Sequence, residues 1–407
     1  MRYQAYQAHA DMMAQLHLLT QAVGQTMSHS SMSKHPFGRS LAAANEVLST
    51  LKITHTRPPY GIESVRVDDR GRQRDVRVRE EVVHTDAFGT LLHFRKVGVT
   101  GDPKVLLVAP MSGHFSTLLR DTVRTLLADQ DVFVTDWHNA RDVPLAAGRF
   151  GMDEYVQYLI TYLDVMGPGA HVVAVCQPCV AALTTVAIMA EDHHRAQPHS
   201  LTLMAGPVDT RINPTKVNQL ATGRTFQWFE KNLISVVPAR HRGGLRRVYP
   251  GFVQLAAFMS MNLERHVNSF RELYNNLLEG DLEKSAAMRA FYKEYFAVSD
   301  LTAEFYLETI RHVFQEHSLP LGRLEWCGRL VKPAAIRRTA LLTVEGERDD
   351  ICAIGQTMAA QDLCSSIPTR MKLHHMQSGV GHYGVFSGRR WEQQIYPIVR
   401  DVIHSSG

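Results

Sequence analysis

Cys176 stands at a point where a predicted strand changes directly into a predicted helix. The segment 171–183 opens with an apolar strand that ends at Cys176, and Pro178 follows in the first helical turn, where proline's missing N–H costs nothing. The helix dipole and the free backbone N–H groups of such a turn stabilise a thiolate. Because the thiolate is the reactive form of cysteine, this position predicts a nucleophile.

Three interpretations of this cysteine are open at this point. Together with Cys179 it forms a Cys-x-x-Cys pair, the pattern of thioredoxin-like redox sites. It also fits the nucleophile elbow of an α/β-hydrolase, in which a sharp strand-to-helix turn exposes the reactive side chain. In a structural interpretation, both cysteines are small buried apolar residues.

Two later loops favour the elbow. The predicted strand 341–344 is followed by Asp349 and Asp350, and the predicted strand 371–375 is followed by the glycine-flanked His382. An elbow requires the chain order nucleophile, acid, histidine, and both later residues follow strands as that order demands. The sheet also extends well beyond the roughly 100 residues of a thioredoxin-like domain. The spacing Gly346-x-x-Asp349 favours Asp349 over Asp350 as the acid.

The surrounding pattern predicts the scaffold that would position these residues. Short apolar strands alternate with amphipathic helices from residue 103 to residue 205, which is typical of a parallel sheet covered on both faces. Mainly helical periodicity then occupies 207–333 before strands resume, and we expect a helix over about 353–363 between the strands 341–344 and 371–375. We therefore expect an α/β class protein, an α/β-hydrolase fold with a mostly parallel central sheet and a helical cap inserted before the acid-bearing strand.

This pattern divides the chain into four parts. They are an N-terminal helical extension over 1–60, a first part of the core over 61–208, a helical cap over 209–334 and a second part of the core over 335–407. In the extension we expect a helix over 4–25, a Ser/Met/His-rich connection over 27–33 and a second helix over about 40–53.

Composition excludes several classes of protein. The chain has 407 residues and a formal charge of +4, less than a nucleic-acid binder usually carries. Its arginine run over 66–79 alternates with valines, as in a half-exposed hairpin, and the arginines of 240–247 surround two glycines, as in an exposed loop. Five cysteines are not a disulfide framework. With no signal-peptide pattern and no apolar run of 18 residues, we expect a cytoplasmic protein with no membrane span, no cofactor and no bound metal.

Several motifs resemble the intracellular polyhydroxyalkanoate depolymerases, the bacterial enzymes that mobilise stored poly(3-hydroxybutyrate). The resemblance covers essentially the whole chain, and the cysteine elbow with Gln-Pro is rare among α/β-hydrolases. The motifs are Val-Cys-Gln-Pro at 175–178, Val-Ala-Pro-Met-Ser-Gly-His at 108–114, Asp-Trp-His-Asn-Ala-Arg-Asp-Val-Pro at 136–144, Val-Glu-Gly-Glu-Arg-Asp-Asp-Ile at 344–351 and Gly-Val-Gly-His-Tyr-Gly at 379–384.

The resemblance implies an ester hydrolase that works through a thioester. Cys176 would attack a polyester carbonyl, His382 would accept its proton and later activate water, and Asp349 would orient the imidazole. The oxyanion would be bound by the backbone N–H of Gln177 and by a second N–H at Met111 or Ser112.

Three further residues border the predicted site. His114 follows the oxyanion loop, and Trp137 and His138 follow the next strand at the same edge of the sheet. We take all three as candidate substrate-pocket residues, against the alternative that they cap a helix or close the core.

The implied partners are a polyhydroxyalkanoate polymer or oligomer and the surface of a storage granule, with no nucleic acid. CoA as the acyl acceptor and a homodimer are left open. The nearest alternative is a polyhydroxyalkanoate synthase-like acyltransferase, although Ala174 and Pro178 replace the two glycines of a Gly-x-Cys-x-Gly elbow. A non-catalytic granule-associated protein is the alternative from another class.

Overall fold

A nine-stranded sheet is the centre of the molecule. The computed structural model describes residues 3–12, 35–69, 72–261 and 263–407. The strands of the sheet, in chain order, are β1 (Ser64–Asp69), β2 (Arg72–Thr85), β3 (Gly89–Lys96), β4 (Lys104–Val108), β5 (Asp131–Trp137), β6 (Ala170–Val175), β7 (Ser200–Met204), β13 (Ala340–Gly346) and β14 (Lys372–Gln377). Their spatial order is β1-β2-β3-β5-β4-β6-β7-β13-β14.

Six of these strands, β4 to β7 with β13 and β14, pair in parallel, whereas β1, β2 and β3 form antiparallel pairs at one side. The central strand β6 is buried along its whole length. Val172 and Ala174 belong to the apolar cluster on one face of the sheet, and Val173 and Val175 belong to the cluster on the other. This explains why β6 has a continuous apolar sequence rather than an alternating one.

Helices cover both faces. The helices of the core are α3 (Arg120–Leu126), α4 (Met152–Met166), α5 (Cys179–Glu191), α12 (Ala360–Leu363), α13 (Gly388–Arg390) and α14 (Tyr396–Ser405). The apolar residues of α4 and α5 share one cluster, and those of α3 and α14 share the other. The predicted mostly parallel sheet with helices on both sides is confirmed.

Helices dominate between β7 and β13. They are α6 (Lys216–Thr222), α7 (Phe226–Leu233), α8 (Gly251–Met261), α9 (Leu263–Glu279), α10 (Leu282–Tyr295) and α11 (Ala303–Thr309), which continues as a π-helical turn, Ile310–Gln315. Two small sheets were missed by the sequence analysis. One joins β8 (Ser235–Val236), β9 (Arg247–Tyr249) and β10 (Leu301–Thr302), and the other joins β11 (Glu325–Trp326) and β12 (Arg329–Leu330). The division at 208/209 and 334/335 stays a prediction.

The N-terminal region contacts this helical segment. Residues 3–12 form a helix, α1, while the predicted helix beyond residue 12 and the connection over 27–33 lie outside the described residues. Tyr3 donates a hydrogen bond to Asp300 Oδ2 at 2.5 Å, and Asp300 Oδ1 accepts one from the Gly251 N–H. Tyr6 stacks on Phe252 at 3.7 Å between ring centroids. The side of this helix that carries Tyr3 and Tyr6 is therefore packed against the helical segment.

The second predicted helix is present but begins earlier than expected. It is α2 (Pro36–Thr50), with Pro36 in its first turn and the His35 imidazole accepting a hydrogen bond from the Phe37 N–H. Proline's fixed φ suits a helix start, so the boundary lies at the proline rather than at residue 40.

The arginine clusters of 66–79 and 240–247 differ in their exposure to solvent. In the β1–β2 hairpin the valines are buried and the described arginines are exposed, as predicted. The expectation of an exposed loop is wrong for Arg246, which is 3% exposed. Its guanidinium donates hydrogen bonds to the carbonyl oxygens of Val143, Pro144 and Gly148. A buried guanidinium needs such acceptors, and here it holds two segments of chain together.

Within the described residues, no helix combines the length and apolar character needed to cross a membrane.

Candidate active site

Cys176 lies in a strained turn between β6 and α5. Its φ is +67°, a left-handed conformation that residues other than glycine rarely adopt. The turn is closed by hydrogen bonds from the Cys176 N–H to the Met204 carbonyl and from the Cys179 N–H to the Cys176 carbonyl. Such strain persists only where neighbouring structure enforces it, and it is frequent at reactive residues. The thiol is partly exposed, as an elbow nucleophile must be.

Gly206 provides the space behind this turn. A Cβ atom at residue 206 would lie 2.1 Å from the Cys179 sulfur and 2.2 Å from the Cys179 Cβ, far inside contact distance. The small residue that the elbow requires is therefore contributed by the segment after β7 as well as by Ala174. The sequence analysis missed it, although its position directly after a core strand was a usable signal.

His382 and Asp349 are in direct contact. The His382 Nδ1 lies 2.7 Å from Asp349 Oδ2, and both side chains are almost fully buried. The other carboxylate oxygen, Oδ1, accepts hydrogen bonds from the backbone N–H groups of Ile351 and Cys352, each at 2.9 Å. Asp350 is exposed. The geometry therefore brings Asp349, not Asp350, against the imidazole.

The charges of Asp349 and Cys176 both affect the protonation of His382. Burial by itself acts to lower the pKa of His382, but the charges of Cys176 and Asp349 and hydrogen bonds to both side chains hold the pKa well above its usual value. Because Nδ1 faces Asp349, Nε2 is the ring nitrogen left for Cys176. The arrangement favours the imidazolium form of His382, which the Asp349 carboxylate stabilises.

Cys179 has a different environment. It is 0% exposed, and its sulfur contacts the carbonyl oxygens of Ala174 and Met204. Burial raises the pKa of the Cys179 thiol well above its usual range. A thiol that resists ionisation is a poor partner in thiol–disulfide exchange, so the geometry disfavours the Cys-x-x-Cys redox interpretation.

Two of the residues predicted to bind the oxyanion, Met111 and Gln177, are hydrogen-bonded to each other. The Met111 N–H donates a hydrogen bond to the side-chain Oε1 of Gln177 at 3.3 Å. We expected this N–H to be open for an oxyanion, and in this structure the Gln177 side chain engages it. Ser112, next to Met111, is only partly buried.

The three candidate pocket residues have structural contacts of their own. His114 is 4% exposed, donates from Nε2 to the Tyr295 carbonyl at 3.1 Å, and has its pKa lowered to about 4 by burial. Trp137 is buried and donates from its indole N–H to the Ala109 carbonyl. His138 bonds to Thr90 and to the Ala87 carbonyl. Their assignment to a substrate pocket stays a prediction.

Glu345 organises the loop that carries the acid. Its side chain is completely buried at the end of β13, and it accepts hydrogen bonds from the N–H groups of Gly355, Thr357 and Met358. The sequence predicted a helix over 353–363, but only Ala360–Leu363 is helical. The physical reason is that these N–H groups bind a carboxylate instead of the carbonyls of a helical turn. The sequence analysis recorded Glu345 without assigning it a role.

Tyr383 connects the histidine loop to the helical segment. Its ring lies perpendicular to that of His382, with centroids 5.9 Å apart, and makes an edge contact with Phe291 of α10. Like Cys176, it packs against the buried cluster on one face of the sheet, and it also packs against the aromatic cluster of α8 to α10. Tyr383 is the second residue that we missed, and its position directly after His382 was the available signal.

Solved structures of several hydrolases are similar to this chain at low identity. An esterase from Thermogutta terrifontis is 14% identical, with 83% of this chain and 98% of that chain covered and a TM-score of 0.41. A meta-cleavage product hydrolase from Pseudomonas fluorescens IP01 is 15% identical, with coverages of 80% and 97% and a TM-score of 0.43. The 2-hydroxy-6-oxo-6-phenylhexa-2,4-dienoate hydrolase from Rhodococcus sp. strain RHA1 is 13% identical. The match covers 81% of this chain and 99% of that chain, with a TM-score of 0.42.

The mostly parallel nine-stranded sheet with helices on both faces is the α/β fold that the sequence predicted. Comparison with curated proteins finds no match. A family model described as "PHB de-polymerase C-terminus" matches residues 205–407, the part that contains Gly206, Asp349 and His382. Through residues 205–407, the chain therefore belongs to the PHB depolymerase family.

Proposed function

We propose that this protein hydrolyses the ester bonds of poly(3-hydroxybutyrate) or a related polyhydroxyalkanoate through a thioester on Cys176. The observation that carries the proposal is the 2.7 Å contact between His382 Nδ1 and Asp349 Oδ2, in a loop where the charge of Cys176 also acts on the imidazole. Family membership of residues 205–407 supports ester hydrolysis as the class of reaction.

The first half of the reaction forms the thioester. The sulfur of Cys176 bonds to the ester carbonyl carbon, and the carbonyl electron pair moves onto oxygen. When the tetrahedral intermediate collapses, the carbon–oxygen bond to the leaving hydroxyacyl chain breaks, and the His382 imidazolium gives its proton to the departing oxygen. Asp349 stabilises the charged imidazole and keeps Nε2 directed at the sulfur.

The second half releases the acyl group. Neutral His382 takes a proton from water, the resulting hydroxide attacks the thioester carbon, and the thiolate leaves. Each half uses the same oxyanion donors. The cycle consumes one water and returns the imidazolium–thiolate pair, so no cofactor or metal takes part in the proposed mechanism.

The substrate would enter past the helical segment proposed as a cap, over 209–334. Tyr383, next to His382, contacts Phe291 of that segment, and aromatic rings suit an apolar polyester chain. We propose a cytoplasmic location on polyhydroxyalkanoate granules, where such a polymer is stored.

Native amorphous granules provide the test. The protein is expected to release 3-hydroxybutyrate monomer or oligomers from them, and Cys176→Ala is expected to release none. Cys327→Ala is the matched control, because Cys327 is exposed and belongs to the β11–β12 turn. Full release by Cys176→Ala would overturn the mechanism, and no release by the unaltered protein would overturn the substrate.

Two added reagents separate the alternatives. If CoA is the acceptor, hydroxybutyryl-CoA accumulates when CoA is supplied with the granules. If the protein is a synthase-like acyltransferase, it incorporates hydroxybutyryl-CoA into polymer and releases nothing from granules. The hydrolase predicts free acids in both mixtures.

A further inference from the structure

We propose that the side-chain amide of Gln177 is itself an oxyanion donor, held in position by the Met111 N–H. This inference rests on the proposed ester hydrolysis and adds a side-chain donor to the backbone N–H of Gln177, while the Met111 N–H serves to hold that side chain. It concerns the side chain of Gln177, which is distinct from the backbone N–H of the same residue.

The orientation of the amide follows from donor chemistry. A backbone N–H can only donate, so the Gln177 atom 3.3 Å from the Met111 nitrogen must be the oxygen Oε1. The amide NH₂ therefore faces away from Met111. Within the described part of the chain, that Nε2 donates to no protein atom.

The position of the residue places this donor at the reacting centre. Gln177 directly follows Cys176, whose left-handed φ turns the thiol out of the elbow. Its side chain bridges to the loop after β4, the other element that borders an oxyanion in this fold. With Oε1 bound to the Met111 N–H, the NH₂ group is the part of the amide left to donate to an oxyanion.

The proposed role involves no proton transfer. As the sulfur–carbon bond forms, the carbonyl electron pair moves onto oxygen, and the Gln177 Nε2–H strengthens its hydrogen bond to that oxygen. The proton stays on the amide, and on collapse the electron pair returns to form the carbonyl. A preorganised neutral donor of this kind stabilises the transition state more than the ground state.

A competing role is that of a plug. In that case the Gln177 side chain occupies the Met111 N–H only in the resting protein and swings away when substrate arrives. A third role is purely structural, in which Gln177 holds the loop after β4. The three roles give different results with two substitutions of similar size.

Gln177→Glu keeps an acceptor for the Met111 N–H and loses the donor, whereas Gln177→Leu loses both. With p-nitrophenyl butyrate, the donor role predicts that both variants lose about 10²- to 10³-fold in kcat with little change in KM. The plug role predicts that Gln177→Leu is as active as the unaltered protein or more so. The structural role predicts that Gln177→Glu keeps its activity.

The pH profile of Gln177→Glu gives an independent signature. A carboxyl group that is protonated can donate again, so the activity of this variant relative to the unaltered protein should rise as pH falls below about 5. A purely structural defect would not recover in this way. Gln219→Leu, at an exposed glutamine of α6, is the control for loss of an amide.

The outcomes separate this inference from the proposed function. Full kcat in Gln177→Leu, or retained activity in Gln177→Glu at neutral pH, overturns the donor role while ester hydrolysis stands. If the unaltered protein hydrolyses p-nitrophenyl butyrate but not the polymer, the substrate proposal fails and the donor role is still tested. If it hydrolyses neither, both fail.

Discussion

The imidazole of His382 lies against the carboxylate of Asp349, with Nδ1 2.7 Å from Oδ2, while the neighbouring Asp350 is exposed. The two adjacent aspartates thus have different environments. One has its carboxylate oriented by two backbone N–H groups towards the histidine, and the other lies at the surface.

This contrast predicts the effect of two matched substitutions. Asp349→Asn should reduce kcat for p-nitrophenyl butyrate by roughly 10³- to 10⁴-fold, because the amide no longer stabilises the imidazolium and favours the wrong tautomer. Asp350→Asn should stay within about threefold of the unaltered protein. Steady-state kinetics of both variants test the assignment, and a reversed order would transfer the role to Asp350.

The raised pKa of His382 predicts the alkaline limb of the activity profile. The charges of Cys176 and Asp349 outweigh burial, so the imidazolium persists above the usual value of about 6.5. Activity should therefore remain high through neutral pH and fall only when the imidazolium loses its proton at alkaline pH. A pH–rate profile that falls between pH 6 and 7 would contradict this arrangement.

The same shift has a consequence for stability. A histidine whose pKa is raised on folding contributes stability that is complete below about pH 6.5 and is lost as pH rises through the folded-state pKa. The free energy of unfolding should thus decline on the alkaline side, and His382→Gln should remove that part of the decline. Chemical denaturation at several pH values measures it.

Glu345 should be essential to the acid loop. Glu345→Gln replaces one acceptor oxygen by a donor that faces backbone N–H groups, so it should lower the free energy of unfolding by about 2 kcal/mol and reduce kcat through Asp349. Glu347→Gln, two residues later and exposed, is the control and should have a smaller effect on both. If the two variants lost equal amounts of stability and activity, the burial of Glu345 would not be the cause.

Cys179 should be dispensable for the reaction. Cys179→Ala removes one buried sulfur and should cost about 1–2 kcal/mol of stability while leaving kcat within a few fold. The redox interpretation predicts instead that dithiol-dependent insulin reduction is present and disappears in this variant. Denaturation and both activity assays distinguish the two.

Asp300 should make the free energy of unfolding depend on pH in the acid range. Burial raises the pKa of this carboxyl to about 6, although hydrogen bonds from Tyr3 and the Gly251 N–H oppose the shift. Because the folded state favours the protonated form, this contribution to stability is complete below about pH 4 and is lost as pH rises through 6, by about 3 kcal/mol in all. Asp300→Asn should flatten the unfolding free energy across that range. An unchanged slope would exclude Asp300 as its source.

Much of the scaffold was predictable because its signals are local. The continuous apolar sequence of β6, the change of period after Cys176 and the order of Cys176, Asp349 and His382 along the chain are all visible without coordinates. Periodicity also predicted the helical segment after β7. The boundaries of α2 and the helix expected over 353–363 were predicted less well, because a proline and a buried carboxylate decide them.

The sequence by itself determined the fold class, the position of Cys176 between a strand and a helix, and the loops in which an acid and a histidine would follow later strands. Only the tertiary structure decided that Asp349 faces His382, that Gly206 packs on Cys179, that Glu345 holds the acid loop and that the Gln177 side chain engages Met111. Periodicity reports which face of an element is buried, whereas these contacts join residues far apart in the chain. Their formation depends on how the parallel strands bring separate loops to the same edge of the sheet.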